Sequence, residues 1–190
     1  MKNTAISSIM LVLLFACSAQ VKDIPNKDWQ IKTAVLPLDE ALRAEATVLG
    51  FGADGKIVKI KEGSNEMICL ADDPSKEGFS AAAYHKDLEP FMQRGRDLKE
   101  QGLSFQEVFD QREKEVSEGK LEMPDKSTLY VMTGEIDENG EVINTKIRFV
   151  IYIPYATGES TGLPLAPPVP GAPWIMNPGT HRAHIMVTPN

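Results

Sequence analysis

Short apolar runs separated by turn residues predict strands in the first half of the chain. Residues 47–51 and 56–61 are rich in β-branched and aromatic residues, and they flank an Asp-Gly pair at 54–55 that is typical of hairpin turns. A third short run covers 66–71 and ends at an Asp-Asp-Pro turn. We therefore expect a hairpin followed by a third strand.

Two segments in the middle of the chain carry apolar residues at helical spacing. The first lies between Asp87, a suitable N-cap, and Gly102. The second lies between Ser104 and Gly119 and opens with the S-x-x-E sequence of a capping box. The charged run over 110–118 within this second helix predicts a solvated face.

The longest alternating runs, 127–136 and 141–153, predict a second hairpin. They join through Asn139-Gly140, a pair that favours a type I′ turn. In the second run, Ile or Phe occupies positions 147, 149, 151 and 153 and alternates with residues of mixed polarity. This alternation predicts a sheet with one well-buried face.

The last part of the chain is rich in proline. Seven of the 13 prolines lie between Pro154 and Pro178, which disfavours helix and central strand and predicts an extended segment that wraps the surface. Trp174 lies within this segment and must either dock on the domain or await a partner. A final apolar run, His184–Val187, predicts an edge strand.

Hairpins with short connections dominate over crossovers, and no internal repeat is present. The pattern predicts an α+β fold with an antiparallel sheet of about five to six strands, two central helices and an extended proline-rich C-terminal segment. We expect a single domain over residues 37–190, with one short helix at most over 37–46. A polar tether over 20–36 precedes it.

Composition narrows the class of protein. The 190 residues carry a formal net charge of -7, with 42% hydrophobic and 25% charged residues, values typical of a folded domain. The excess of acidic residues and the lack of a dense Lys/Arg cluster argue against nucleic acid as a partner. The sequence contains no phosphate loop, no paired C-x-x-C motif and no EF-hand spacing, and we expect no standard cofactor.

Residues 1–19 have the order of a secretory signal peptide. Lys2 precedes an apolar run over 6–16 that is too short to span a bilayer. The run ends in Leu-Phe-Ala-Cys, which resembles a bacterial lipobox with Cys17 as the lipidated N-terminus. Ordinary cleavage after Ala19 is the alternative. We expect an exported protein of the periplasm or outer membrane, attached to the membrane through a lipid if Cys17 is acylated.

Polar residues near the third strand and the first long helix are candidates for a ligand cleft. Carboxylates at a strand end and basic residues near a helix start can hold a small ion or ligand, although surface ion pairs would give the same pattern. Trp174 in the tail is a further candidate. The cluster comprises Asp72, Asp73, Tyr84, His85, Glu89, Arg94 and Arg96.

Three histidines are candidates for a divalent metal site. His181 and His184 have an H-x-x-H spacing, which brings both rings to one face of a helix but to opposite faces of a strand. A third ligand would come from His85, Asp72 or Asp73. Structural or surface histidines are the alternative.

Two further residues match nucleophile patterns. Ser160 lies in a G-x-S-x-G sequence, but the prolines that follow prevent the supporting helix, and we expect a flexible turn. Cys69, the only cysteine beyond Cys17, would need His85 as a nearby base to act as a thiolate. Its apolar neighbours predict a buried core residue instead.

None of these patterns fixes a chemistry. We expect an exported, lipid-anchored bacterial envelope protein that binds a ligand or a partner. The alternative is a metal-dependent hydrolase or lyase that uses His181 and His184. The sequence leaves open whether the protein is an enzyme.

Overall fold

A computed structural model describes residues 23–189. The predicted signal peptide over 1–19, Cys17 and the start of the predicted tether lie outside the described residues. Within the described range the chain has the predicted α+β class. None of its helices in this range is long and apolar enough to cross a membrane.

The described residues form five helices and eight strands. The helices are α1 (Lys27–Ala34), α2 (Glu40–Arg43), α3 (Glu89–Glu100), α4 (Phe105–Ser117) and α5 (Gly158–Thr161). The strands are β1 (Thr47–Phe51), β2 (Ile57–Lys61), β3 (Met67–Leu70), β4 (Phe79–His85), β5 (Ser127–Ile136), β6 (Val142–Tyr152), β7 (Trp174–Met176) and β8 (His184–Val187).

One open sheet contains all eight of these strands, in the order β2-β1-β3-β4-β5-β6-β8-β7. Neighbouring strands are antiparallel except for β1 and β3, which are parallel. The prediction of five to six antiparallel strands is therefore wrong in strand number and in the direction of this pair. The last strand, β8, lies between β6 and β7, so the edge strand is β7 and not β8 as predicted.

The parallel pair results from a tight passage of the chain over the start of β1. The connection 62–66 leaves β2 on one side of β1 and enters β3 on the other. The carbonyl oxygen of Glu45 accepts hydrogen bonds from the backbone N–H groups of Ser64 (2.8 Å) and Asn65 (3.0 Å). A Cβ at Gly63 would lie 2.3 Å from that same oxygen, so the passage requires a glycine.

Two apolar clusters lie on opposite faces of the sheet. The first contains Val48, Cys69 and Ala83, which are aligned across β1, β3 and β4, and it is covered by the end of α1. The second contains Tyr84 and Leu129, which are paired across β4 and β5, and it is covered by α3 and α4. Because Ala83 and Tyr84 are adjacent in one strand, their side chains point to opposite faces.

Residues 27–34, which were predicted to be part of a tether, form α1 and pack against the sheet. Asn26 caps this helix by accepting a hydrogen bond from the N–H of Trp29 (2.9 Å). The side chain of the buried Gln30 hydrogen-bonds to the backbone of β1 at Phe51, just beyond the point where the β1–β3 pairing ends. Its Oε1 accepts from the N–H of Phe51 (2.7 Å), and its Nε2 donates to the carbonyl of Phe51 (3.1 Å). The helix is anchored by an amide and not by an apolar stripe, so hydrophobic periodicity does not reveal it.

The two long helices form as predicted. In α4, Ser104 and Glu107 make both hydrogen bonds of the capping box. In α3, Leu88 occupies the N-cap position, and Asp87 lies in a 3₁₀ turn over Lys86–Leu88 that leads into the helix. The predicted solvated face of α4 has one exception, Arg112, which is only 8% exposed.

The buried face of β6 is the opposite of the one suggested by its Ile-rich positions. Val150 and Tyr152 are 5% and 4% exposed, whereas Ile151 is 36% exposed. Val150 and Tyr152 belong to the cluster under α3 and α4. On the other face, α1 packs on β1, β2 and β4, and Ile151 therefore stays partly exposed.

The hairpin of β5 and β6 forms as predicted, but its turn is not of type I′. That type requires positive φ at both central residues, and only Gly140 (φ 78°) has it, while Asn139 does not. The Asp137 side chain organises the turn instead, because its Oδ1 accepts from the N–H groups of Asn139 and Glu141, both at 2.9 Å.

The proline-rich segment contains two short regular elements that its composition did not predict, α5 and β7. On the outer side of β7, the N–H of Ile175 donates to the carbonyl of Pro164 (3.0 Å), so the segment covers this edge of the sheet. Trp174 packs against the second apolar cluster, which also holds Tyr152 and Met186. The tail is therefore docked.

Replacing Gln30 with alanine should destabilise the domain by roughly 1 to 3 kcal/mol, because the N–H and carbonyl of Phe51 would lose their partners at a buried position. Urea unfolding followed by circular dichroism measures the change. Lys32→Ala on the same helix is the matched control. Its ion pair with Glu141 is 60% and 59% exposed, so we expect a loss below about 1 kcal/mol. Equal losses for both variants would contradict the role assigned to Gln30.

Candidate functional site

A cleft of about 390 Å³ lies between the sheet and the C-terminal half of α3. The parallel strands β1 and β3 both end at it, with Phe51 and Leu70. Its apolar lining consists of Phe51, Ile57, Leu70, Ala71 and Ala82. A volume and lining of this kind are typical of sites that bind small molecules.

The rim of the cleft carries charges of both signs. The acidic residues are Asp72, Asp73 and Glu77 from the loop after β3 and Glu100 from α3. The basic residues are Lys76 from the same loop and Arg96 and Lys99 from α3. The cleft therefore offers an apolar surface with cationic and anionic groups around it.

The two aspartates shape the loop that forms one side of the cleft. Asp72 is 8% exposed, and its Oδ1 accepts a hydrogen bond from the N–H of Ser80 (2.8 Å). Asp73 accepts from the hydroxyl of Ser75 (2.6 Å) and forms an ion pair with Lys76 (3.0 Å). Burial raises the pKa of Asp73, but the hydrogen bonds from Ser75 and Lys76 outweigh it, and the net pKa lies below the usual value. Asp73 is therefore ionised at neutral pH.

On the opposite side of the cleft, Arg96 is held in a fixed position by a small polar network. Its Nη2 lies 2.5 Å from Glu89 Oε1, and its Nη1 donates to the hydroxyl of Tyr84 (3.1 Å). Tyr84 in turn donates to Glu89 Oε2 (2.6 Å). Burial is the main cause that raises the pKa of Tyr84, so the phenol remains neutral.

Lys99 is the second cation that α3 presents to the cleft. Among residues 23–189 it has no ion-pair partner. Its pKa is lowered, first by partial desolvation and then by the positive charges of Lys76 and Arg112. The Asp73 carboxylate partly offsets this repulsion, and an anionic ligand group beside Lys99 would offset it further.

The structure brings only part of the predicted ligand-binding set to the cleft. Asp72 and Asp73 line it, and Tyr84 supports it through Arg96. The other candidates lie elsewhere: Arg94 pairs with Glu115 of α4 (2.6 Å) and His85 with Asp87 (3.3 Å). Trp174 lies in β7 at the far edge of the sheet.

Sequence reasoning missed five polar residues that line the cleft: Lys76, Glu77, Ser80, Lys99 and Glu100. Their positions offered a weak signal. Lys76, Glu77 and Ser80 lie in the loop after β3 and at the start of β4, while Lys99 and Glu100 are the last two residues of the first long helix. Only the packing of α3 against the sheet brings the two groups together.

The three candidate metal ligands have separate surroundings. His181 is fully buried, and its Nδ1 lies 2.6 Å from Glu113 Oε2. His184 lies on β8, where its Nδ1 is 2.5 Å from the carbonyl oxygen of Arg182. Burial is the main cause that lowers the pKa of both rings. In the described part of the chain, no three His, Cys, Asp or Glu side chains are grouped closely enough to hold a metal ion.

Ser160 uses its hydroxyl to cap a helix. The sequence around it forms α5, a single helical turn that begins after Thr157 and ends at Gly162. The hydroxyl of Ser160 accepts from the N–H of Thr157 (2.9 Å), and the Thr157 hydroxyl accepts from the N–H of Ser160 (3.1 Å). The expected flexible turn is thus a capped helical turn, and both hydroxyl groups serve its local structure.

Comparison of the chain with models of known protein families, with curated proteins and with solved structures finds no match. The interpretation of the cleft therefore depends on its own geometry and charges.

Cys69 is fully buried, and desolvation raises the pKa of its thiol to about 12. The thiol should therefore resist alkylation by iodoacetamide at neutral pH in the folded protein and react in urea, as followed by mass spectrometry. Cys69→Ala should cost roughly 1 to 2 kcal/mol through a small cavity. Rapid alkylation under native conditions would show instead an accessible, activated thiolate.

Proposed function

We propose that the chain is an exported, lipid-anchored protein of the bacterial envelope that binds a small ligand in the cleft between α3 and the sheet. One observation carries this proposal: the cleft joins an apolar surface to a rim of fixed charges of both signs. Export and the lipid anchor rest on the order of Lys2, the apolar run and Cys17 at the start of the sequence.

The lining favours a ligand with an apolar body and at least one anionic group. Leu70 and Ala82 offer the apolar contact, while Arg96 and Lys99 approach from α3. Arg96 is pre-organised by Glu89 and Tyr84, so little side-chain entropy is lost when it binds an anion. The acidic residues of the 72–77 loop suit a cationic group at the other end of the ligand.

The position of Asp23 supports a cleft that faces the membrane. Asp23 and Pro25 line a groove together with Asp72 and Lys76, which also line the cleft. Five residues lie between Cys17 and Asp23, and the six Cα–Cα steps of an extended chain span roughly 20 Å at most. A lipid on Cys17 would therefore hold the cleft close to the membrane surface.

The alternative of a metal-dependent hydrolase or lyase gains no support from the geometry. His181 and His184 bond to different partners, Glu113 and the Arg182 carbonyl. A binding protein accounts for the cleft without any catalytic group.

Filling the cleft should abolish ligand binding. Ser80 lines the cleft and is exposed, so Ser80→Trp adds bulk there without disturbing the core. We expect members of a panel of small zwitterionic amphiphiles to raise the melting temperature of the unmodified protein by about 5 to 10 °C at saturation. The same compounds should leave the melting temperature of Ser80→Trp unchanged.

Thr145→Trp is the matched control for this experiment, since it places the same side chain at an exposed position on β6, outside the cleft. It should respond to the compounds like the unmodified protein. Compounds that stabilise all three proteins equally bind elsewhere, and a panel without any hit would contradict the proposed ligand class.

Mass spectrometry of the protein from bacterial membranes tests the anchor. We expect an N-terminal peptide that begins at Cys17 and carries a diacylglycerol group, and Cys17→Ser should release the protein from the membrane fraction. An unmodified N-terminus at Gln20 would refute the lipid anchor and leave export intact.

A further inference from the structure

Arg112 of α4 is a buried cation without a carboxylate partner. Its side chain crosses α3 at Gly95, where a Cβ would lie 2.8 Å from Nη1. Nη1 donates to the carbonyl of Phe91 (3.2 Å), and the guanidinium carbon lies 4.0 Å from the centre of the Phe91 ring. Nε is buried and has no hydrogen-bond partner among residues 23–189. These contacts fix the position of the guanidinium but do not neutralise its charge.

Arg182 is a second cation without a carboxylate partner. It lies just before β8, and its guanidinium carbon is 5.4 Å from the Phe105 ring and 5.8 Å from the Phe109 ring of α4. Its Nε is also buried and unpartnered within the described range, where Arg182 forms no ion pair. By contrast, Arg94 and Arg96 of α3 are both paired with glutamates, although the Nε of Arg96 is also buried without a hydrogen-bond partner in the described range.

Ring and backbone contacts place the two arginines in the same region: Arg182 lies over Phe109, one helical turn before Arg112 on α4, and Arg112 crosses α3 at Gly95, one turn before Lys99. Burial lowers the pKa of Arg112 to about 10, and the positive charge of Arg182 is the next cause. Arg112 and Arg182 also contribute to the lowered pKa of Lys99. The nearby carboxylates are already engaged, since Glu115 pairs with Arg94 and Glu113 with His181.

Arg112 is buried and Arg182 is partly buried, and neighbouring like charges at such positions are unfavourable unless a counter-charge joins them. We propose that Arg112 and Arg182 bind a small oxyanion of the size of inorganic phosphate. Guanidinium groups match the geometry of oxyanions through several N–H donors. A buried Nε–H group without a partner can donate a hydrogen bond to a bound anion. Because Arg112 is only 8% exposed, a compact anion fits better than a bulky one. Neither arginine lines the ligand cleft, so this site is separate from the proposed function.

Phosphate titration followed by ¹H–¹⁵N NMR of the arginine Nε–H groups tests this site directly. The full chain is titrated with inorganic phosphate at constant ionic strength, with chloride as the balancing ion. We expect saturable shifts of the Arg112 and Arg182 signals. Arg94, whose Nε already donates to Glu115 (2.8 Å), is the internal reference and should not shift. Unchanged signals, or shifts that grow linearly without saturation, would overturn the proposal.

Variants provide an independent measurement. Arg182→Gln is chosen because Arg182 is partly exposed, whereas loss of the buried Arg112 risks unfolding the domain. We expect Arg182→Gln to weaken phosphate binding at least tenfold by calorimetry. Arg148→Gln, at an exposed position on β6, is the matched control and should bind like the unmodified protein. Equal affinity of Arg182→Gln and the control would exclude this site. Phosphate binding by Ser80→Trp, in which the cleft is filled, should remain unchanged.

Discussion

The passage of residues 62–66 over the start of β1 is the constraint on which the position of the ligand cleft depends. It requires the absence of a side chain at Gly63 and two hydrogen bonds to the Glu45 carbonyl. Because the chain crosses there, β3 runs parallel to β1, and both strands end at one edge of the sheet. The Asp72–Asp73 loop and the Gln30 amide meet the sheet at this edge. A simple meander would have placed the end of β3 at the opposite edge, away from Phe51.

The distribution of ion pairs explains how an acidic chain retains cations that no carboxylate neutralises. Arg94 and Arg96 lie two residues apart on α3 and face different partners, Glu115 of α4 and Glu89 of their own helix. Because Glu89 and Glu115 are engaged in these ion pairs, they do not neutralise the neighbouring cations. Arg112, Arg182 and Lys99 form no ion pair within the described chain. The pattern of paired charges therefore determines where uncompensated positive charge remains.

Local signals in the sequence predicted much of the fold. The capping box at Ser104 and the Asn139-Gly140 turn identified α4 and the β5–β6 hairpin because such motifs act within a few residues. The rest depends on long-range packing. Gln30 anchors α1 through an amide, which leaves no apolar period, and both sides of β6 carry apolar residues, so alternation alone could not say which side is buried. The cleft joins groups up to 49 residues apart in sequence, from Phe51 to Glu100. Arg112 lies in the charged run that predicted a solvated face, and only its packing against α3 buries it.

The C-terminal tail holds one of the two arginines of the proposed anion site. Arg182 reaches α4 only because β8 pairs with β6 and the Trp174 strand pairs with β8. Detaching this tail would remove Arg182 from Arg112 and would also uncover His181, which is fully buried against Phe91 and Phe109. An anion that binds both arginines therefore favours the docked tail, and by reciprocity the docked tail strengthens anion binding. The pairing of β8 with β6 thus couples the two events, so that binding of a small anion would stabilise the sheet.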